Sequence, residues 1–283
     1  MIQKIKNLIV HGAGTKPMST DIFFEENSIP KPVVIYAHGF NGFKDWGHFD
    51  IIAERFAVAG FVFVKFNFSH NGTTPEQPEA FADLEAFGNN NYTKQLEDLG
   101  HIIDWVCSQY NLYKNEIATE QISLIGHSMG GGISIIKTAE DNRIKKLVTW
   151  AAISQCKTPW GNWNEQKMND WKHNSVAYYV NGRTKQNMPL YYQLHEDYLQ
   201  HENRLNIRKA IEKIKIPILI CHGTKDTAVP VSAAYELTGW QPNAKLFIVD
   251  SDHVFGRTHP WPFDYLQPAI DDVVKNTIDF LND

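Results

Sequence analysis

The chain has 283 residues, 43% of them hydrophobic and 12% aromatic, enough to bury a large core in one domain that carries an insertion. Its 27 Lys and Arg against 32 Asp and Glu give a net charge of −5 with no run of like charges, which argues against nucleic acid or an anionic membrane as partner. The 3 cysteines, Cys107, Cys156 and Cys221, form neither a C-x-x-C pair nor a disulfide framework and suit a reducing compartment.

In chain order, Met1 to Val10 alternates Lys with apolar residues and reads as a strand rather than a signal peptide. Nowhere do about 18 apolar residues run together, so a soluble cytoplasmic protein is expected. Ile5–Val10 and Asp21–Glu26 are leading strands, joined through Gly12-Ala13-Gly14 and expected to be antiparallel. Apolar runs then recur at Val33–Ala37, Phe61–Phe66, Ile122–Ile125, Lys146–Ala151, Ile216–Cys221 and Leu246–Val249. They are apolar on both faces, as in a parallel sheet covered by helices. Helices are predicted at about Trp46–Ala59, Tyr92–Tyr110, Met129–Ala139 and Val231–Thr238, with a last one from Tyr265 to Leu281. This alternation predicts an α/β fold with a doubly wound, mostly parallel sheet.

Two regions break the rhythm. Ser69 to Asn91, with His70-Asn71-Gly72, Pro75 and Pro78, predicts a long irregular excursion that ends where Asn89–Asn91 can cap a helix. Residues 154–206 are rich in Trp, Tyr, Asn and Gln and show no sheet-like apolar run. A strandless lid or cap is expected there.

The chemistry concentrates where Gln121–Ile125 runs into Gly126-His127-Ser128-Met129-Gly130 and then a helix. A G-x-S-x-G sequence between strand and helix makes a turn too tight for side chains two before and two after the serine, and leaves the serine hydroxyl exposed. Ser128 is therefore the candidate nucleophile. A hydroxyl needs a base, and the base needs a group that orients it. Asp226 follows the strand Ile216–Cys221 and His253 follows Leu246–Val249, both beyond strand ends, where ligands bind in open α/β sheets. Asp250 and Asp252 flank the histidine but would have to fold back to reach it; His222 and His259 are rival bases. His38, His127 and His222 read as packing or hydrogen-bonding groups near strand ends. Backbone N–H groups of Met129 and of Phe40, in His38-Gly39-Phe40-Asn41-Gly42-Phe43, are the candidate oxyanion donors.

Together His38-Gly39-Phe40, Gly126–Gly131, Gly223-Thr224-Lys225-Asp226 and Asp252–Phe255 resemble the α/β-hydrolase superfamily. Within it they are similar to bacterial carboxylesterases of the cinnamoyl and feruloyl esterase group and to dienelactone-hydrolase-like proteins. The resemblance implies one α/β-hydrolase domain over residues 1–283 with a small cap at about 154–206, and ester hydrolysis without metal or organic cofactor. The longer loop Phe66–Gly72 departs from the compact Gly-x-Gly-x-Ser turn frequent in that group.

A serine carboxylesterase for small or aromatic acyl esters, working through an acyl-enzyme, is the leading reading. Aminopeptidase, thioesterase and lipase chemistry stay open, as does a non-catalytic ligand-binding member of the fold. His195-Glu196 lacks the second histidine of H-E-x-x-H, and Gly12-Ala13-Gly14 lacks the third glycine of a dinucleotide fingerprint, so no metal and no cofactor are expected. The expected partner is a small-molecule ester, and a homodimer is compatible with this. His127, Trp160, Trp163 and Tyr179 are the candidate substrate contacts. The competing reading is that most rings of the insertion pack it onto the core.

Overall fold

The computed structural model describes residues 1–109 and 111–283. Its strands are β1 (Ile2–His11), β2 (Pro17–Glu25), β3 (Lys31–Ala37), β4 (Val62–Phe66), β5 (Ile117–His127), β6 (Ile144–Trp150), β7 (Val176–Val180), β8 (Asn187–Tyr191), β9 (Ile218–Gly223) and β10 (Lys245–Val249). The helices are α1 (Phe49–Val58), α2 (Leu84–Gly88), α3 (Tyr92–Cys107), α4 (Met129–Glu140), α5 (Glu165–Asn174), α6 (Gln193–Gln200), α7 (Ile207–Ile211), α8 (Ser232–Trp240) and α9 (Pro268–Asn282). The predicted helix end at Tyr110 lies outside the described residues. Among the described residues no helix is long and apolar enough to cross a membrane.

Eight strands form one sheet in the order β1-β2-β4-β3-β5-β6-β9-β10. β1 with β2 and β2 with β4 are antiparallel, and the remaining pairs are parallel. Because side chains alternate along a strand, each core strand feeds two layers. Val33, Ile35, Ile122 and Leu124 face α3, α4, α7 and α8. Val34, Tyr36, Ile125, Val148 and Trp150 face α1 and α9. Both faces are thus covered, which is why the strands read as unbroken apolar runs.

Asn91 caps α3 by accepting from the Lys94 N–H at 2.9 Å. The stretch before it is not wholly irregular, as had been expected. Asp83 accepts from the Ala86 N–H at 2.8 Å and starts the short helix α2, whose Phe87 is buried against Phe81.

Residues 154–206 also depart from the expectation of a strandless segment. β7 and β8 pair antiparallel as a separate two-stranded sheet, Tyr178 opposite Pro189. Both strands are edges, so Asn187 and Pro189 are tolerated and β7 is only half-buried, a pattern with no continuous apolar run. α5 and α6 flank the hairpin, and the fully buried Trp171 ties them to it by donating Nε1–H to the Leu190 carbonyl at 2.7 Å.

A buried ionic cluster sits where β2, β4 and the segment after β3 meet. Lys44 and Lys65, neither exposed to solvent, both reach Asp21, at 2.8 and 3.0 Å, and both bind Asp45. Lys65 also reaches Asp50 at 2.6 Å, and Lys6 binds Asp50 at 2.8 Å. The carboxylates of Asp21, Asp45 and Asp50 converge, with ammonium groups between them. Around Asp45, burial pushes the carboxyl up, but Lys65 and Lys44 outweigh it and hold the acid well below its usual range.

Candidate active site

β5 ends at His127 and α4 begins at Met129, so a single residue, Ser128, makes the turn between them. Its backbone lies at φ 56° and ψ −120°, a conformation that L-residues rarely adopt. The neighbouring glycines explain how the chain tolerates it. A Cβ on Gly126 would come within 2.4 Å of the Gly130 carbonyl oxygen, and one on Gly130 within 2.3 Å of the His38 carbonyl oxygen. The turn is held from outside by the Ser128 N–H donating to the Trp150 carbonyl at 2.9 Å.

His253 and Asp226 meet across the ends of the adjacent strands β10 and β9. His253 Nδ1 lies 2.7 Å from Asp226 Oδ2. Gly223 permits this approach: a Cβ there would fall 2.3 Å from the Ser251 carbonyl oxygen. Asp226 Oδ1 accepts from the Ala228 and Val229 N–H groups at 2.9 and 2.8 Å. Burial raises the pKa of this acid, but hydrogen bonds from His222 and His253 overcome that and hold it well below the usual carboxylate range. The rival Asp250 is engaged elsewhere, by Lys225 at 2.8 Å and Thr224 at 2.9 Å, and Asp252 Oδ1 accepts from the Val254 and Gly256 N–H groups. The rival base His259 accepts from the Gly47 N–H at 3.0 Å.

The loop after β3 lies against the serine, since a Cβ on Gly39 would be 2.9 Å from Ser128 Cβ. His38 anchors this loop. Its Nε2 faces the Phe68 N–H at 3.3 Å, so the ring proton is assigned to Nδ1, which donates to the Gly39 carbonyl at 2.9 Å. Burial pushes the His38 imidazole down to about 4, keeping it neutral near pH 7. Asn71 adds a bond to the Gly42 carbonyl at 3.2 Å. Among the described residues neither the Phe40 nor the Met129 N–H donates to a protein acceptor.

His127, buried, donates Nε2–H to the His253 carbonyl at 2.9 Å, and its ring lies 4.8 Å from that of His253. Burial, with the charge of Arg257, holds it well below the ordinary histidine range. A cavity of about 240 Å³ borders these groups, lined by the loop His38–Phe43, Trp46, His127, His253, Arg183 and Arg257 among others. Ser128 and Met129 lie outside that lining.

Neither Trp160 nor Trp163 lines this cavity. Trp160 is buried among Tyr92, Trp171, His195 and Tyr198, with ring centroids 5.8–6.0 Å apart. Trp163 packs edge-on to Trp171 at 5.1 Å, under Lys167 Nζ. Aromatic density in the insertion builds its own core, which burial of large rings favours over a wet pocket wall. Tyr179 does not line the cavity either, but its ring lies 6.0 Å from that of Phe40, which does, and its hydroxyl donates to Asn41 Oδ1.

One residue was missed from sequence. Arg257, buried, stacks on Trp46 and Phe49 at 5.5 and 4.9 Å and donates Nε–H to the Val254 carbonyl at 2.7 Å, bracing the loop that carries His253. Nothing in its neighbourhood along the chain signals this. His222, read from sequence as a rival base or as a hydrogen-bonding group near a strand end, lies buried in β9 just before the turn to Asp226.

The model of the BD-FAE family matches residues 20–240, a span that includes Ser128 and Asp226 and stops short of His253. The chain belongs to the BD-FAE family. Among curated relatives of this BD-FAE member, the "Quorum-quenching protein AidA" of Acinetobacter baumannii is 27% identical over 138 residues, 49% of this chain. The match spans 39% of that relative's length. "Putative esterase/lipase 2" of Mycoplasma genitalium is 25% identical over 264 residues, covering 88% of this chain and 81% of the other. Among solved structures, Est1E from Butyrivibrio proteoclasticus with ferulic acid bound aligns over 97% of this chain and 98% of its own, with a TM-score of 0.71 at 17% identity. That likeness is one of fold, and the fold is that of the α/β hydrolases.

Proposed function

We propose that this BD-FAE hydrolase is a serine carboxylesterase for small or aromatic acyl esters. Ser128 attacks the ester carbonyl, and His253 takes its proton and returns it to the leaving alcohol. Asp226 holds the imidazole in one tautomer and steadies the imidazolium. The Met129 and Phe40 N–H groups receive the oxyanion, and water then repeats the sequence on the acyl-enzyme. Residues 154–206 cap the single domain.

The observation that carries the reading is the backbone of Ser128, held at φ 56° in a one-residue turn between β5 and α4 that only glycines at 126 and 130 accommodate. Strain of this kind persists where surrounding structure imposes it, and it clusters at active sites. The α4 N-terminus adds a favourable field for developing negative charge. The esterase names among the relatives and the ferulic acid held by Est1E support an ester, and an aromatic acyl group, as the substrate class. The test is labelling with a fluorophosphonate followed by peptide mapping: modification of Ser128 is expected, and a label on any other residue, or none, overturns the assignment.

A further inference from the structure

Asp226 Oδ2 serves two histidines. His253 Nδ1 approaches it at 2.7 Å from the β10 loop, and His222 Nε2 at 3.2 Å from within β9. The same His222 nitrogen lies 2.8 Å from the Val229 carbonyl oxygen. Both neighbours are acceptors, so Nε2 carries the proton and His222 is present as the Nε2–H tautomer. Its Nδ1 is buried with no hydrogen-bond partner, so no donor competes for the opposite tautomer. The imidazole is wholly buried and out of reach of any substrate.

Building on the roles given above to Asp226 and His253, we propose that His222 is a positioning residue for the active-site acid, aiming Oδ2 at His253 and moderating its hold on the imidazole proton. The geometry supports both parts. The Ala228 and Val229 N–H groups fix Oδ1, and a carboxylate held by one oxygen can still swing the other out of line. His222 restricts that freedom because its Nε2, bonded to the Val229 carbonyl, stands 3.2 Å from Oδ2 and so faces both ends of the turn. The His222 N–H, which donates to the Val229 carbonyl and stands 3.2 Å from Oδ2, also offsets part of the carboxylate charge. The proton shared with His253 therefore stays on nitrogen, as base catalysis followed by acid catalysis requires. A bond of the same kind from a residue in the sheet core is stiffer than one from a loop, since β9 is paired on both sides.

The test compares His222→Leu, which keeps bulk and removes the donor, with His222→Gln, whose amide N–H can still donate. With a p-nitrophenyl ester, His222→Leu should lose roughly tenfold to a hundredfold in kcat, the weight of one hydrogen bond to a charged group, with KM within about twofold. His222→Gln should recover most of that loss. The downfield proton resonance of the His253–Asp226 bond should move in His222→Leu and return toward wild type in His222→Gln. Thermal melts of both variants separate folding loss from catalytic loss. Equal kcat per folded molecule in wild type and His222→Leu, with an unmoved resonance, overturns the inference. Fluorophosphonate labelling keeps the two readings apart: an unlabelled wild-type Ser128 defeats the triad itself, whereas a labelled wild type with kinetically silent His222 variants defeats this inference alone.

Discussion

The hydroxyl of Tyr179, on the outer hairpin, donates to Oδ1 of Asn41, on the loop that follows β3. Asn41 sits at φ 58°, so this bond ties the insertion to a strained residue next to Phe40. Tyr179→Phe should leave the fold intact and lower kcat/KM about fivefold, the weight of one neutral hydrogen bond. Steady-state kinetics that match wild type would separate the hairpin from catalysis.

Ser128→Ala removes the attacking hydroxyl and leaves only binding and oxyanion stabilisation. A loss of at least about a thousandfold in kcat is expected, with little change in thermal stability. Residual activity above one per cent, measured on protein freed of wild-type contamination, would count against the nucleophile.

Asp226→Asn keeps shape but offers an N–H where His253 needs an acceptor, favouring the wrong tautomer. A kcat reduction of about a thousandfold or more is expected. Undiminished activity would transfer the role to Asp250 or Asp252.

For the substrate, kcat/KM should be higher for methyl ferulate or a butyrate ester than for a palmitate ester, because the cavity beside His253 is only about 240 Å³. A palmitate optimum would discard the pocket assignment while leaving the three active-site residues in place.

Asp98 carries a pH prediction of its own. It is buried under the loop after β4, where it accepts from the Ala13 N–H and from Ser69 N–H and Oγ–H at 2.7–2.8 Å. Burial nevertheless raises its pKa from 3.8 to about 6 against those donors. A folded-state pKa above the unfolded one means that the native state binds more protons in this window. The Asp98 contribution to stability is then complete below about pH 4 and declines as pH rises through 6, by about 3 kcal/mol at most. Urea unfolding of wild type and Asp98→Asn at pH 4.5 and 7 should show the wild type losing ground relative to the variant as pH rises. A difference that is flat in pH, or that grows, contradicts the shift.

The parts legible in sequence are those where one segment fixes its own geometry. Gly126, Ser128 and Gly130 lie within five residues, so their spacing announces the turn, although only the Gly126 clash is with its own segment and the Gly130 clash is with the end of β3. The parallel core strands are equally plain because both faces are buried. β7 and β8 were invisible for the opposite reason: as paired edges they carry Asn187, Pro189 and the exposed Tyr178, and only their mutual pairing makes them strands. Ring density along the chain does not say which way the rings of Trp160 and Trp163 turn; both meet Trp171. His222 and Arg257 depend on partners brought together by folding, Asp226 and Val229 for one, Trp46 and Phe49 for the other.

The ionic cluster of Lys44, Lys65, Asp21 and Asp45 has a bearing on the loop His38–Phe43, because Lys44 and Asp45 are its immediate continuation. Charges sealed from solvent are beyond the reach of mobile counter-ions, which screen only what they can approach. The root of that loop therefore loses far less of its clamping to added salt than a surface ion pair would. The Lys44 N–H, bonded to Asn67 Oδ1 at 2.7 Å, extends the clamp to the chain after β4. Donors that must already point at an oxyanion before it forms gain most from such a foundation. Reorganisation that would otherwise recur at every turnover is completed once, when the chain folds.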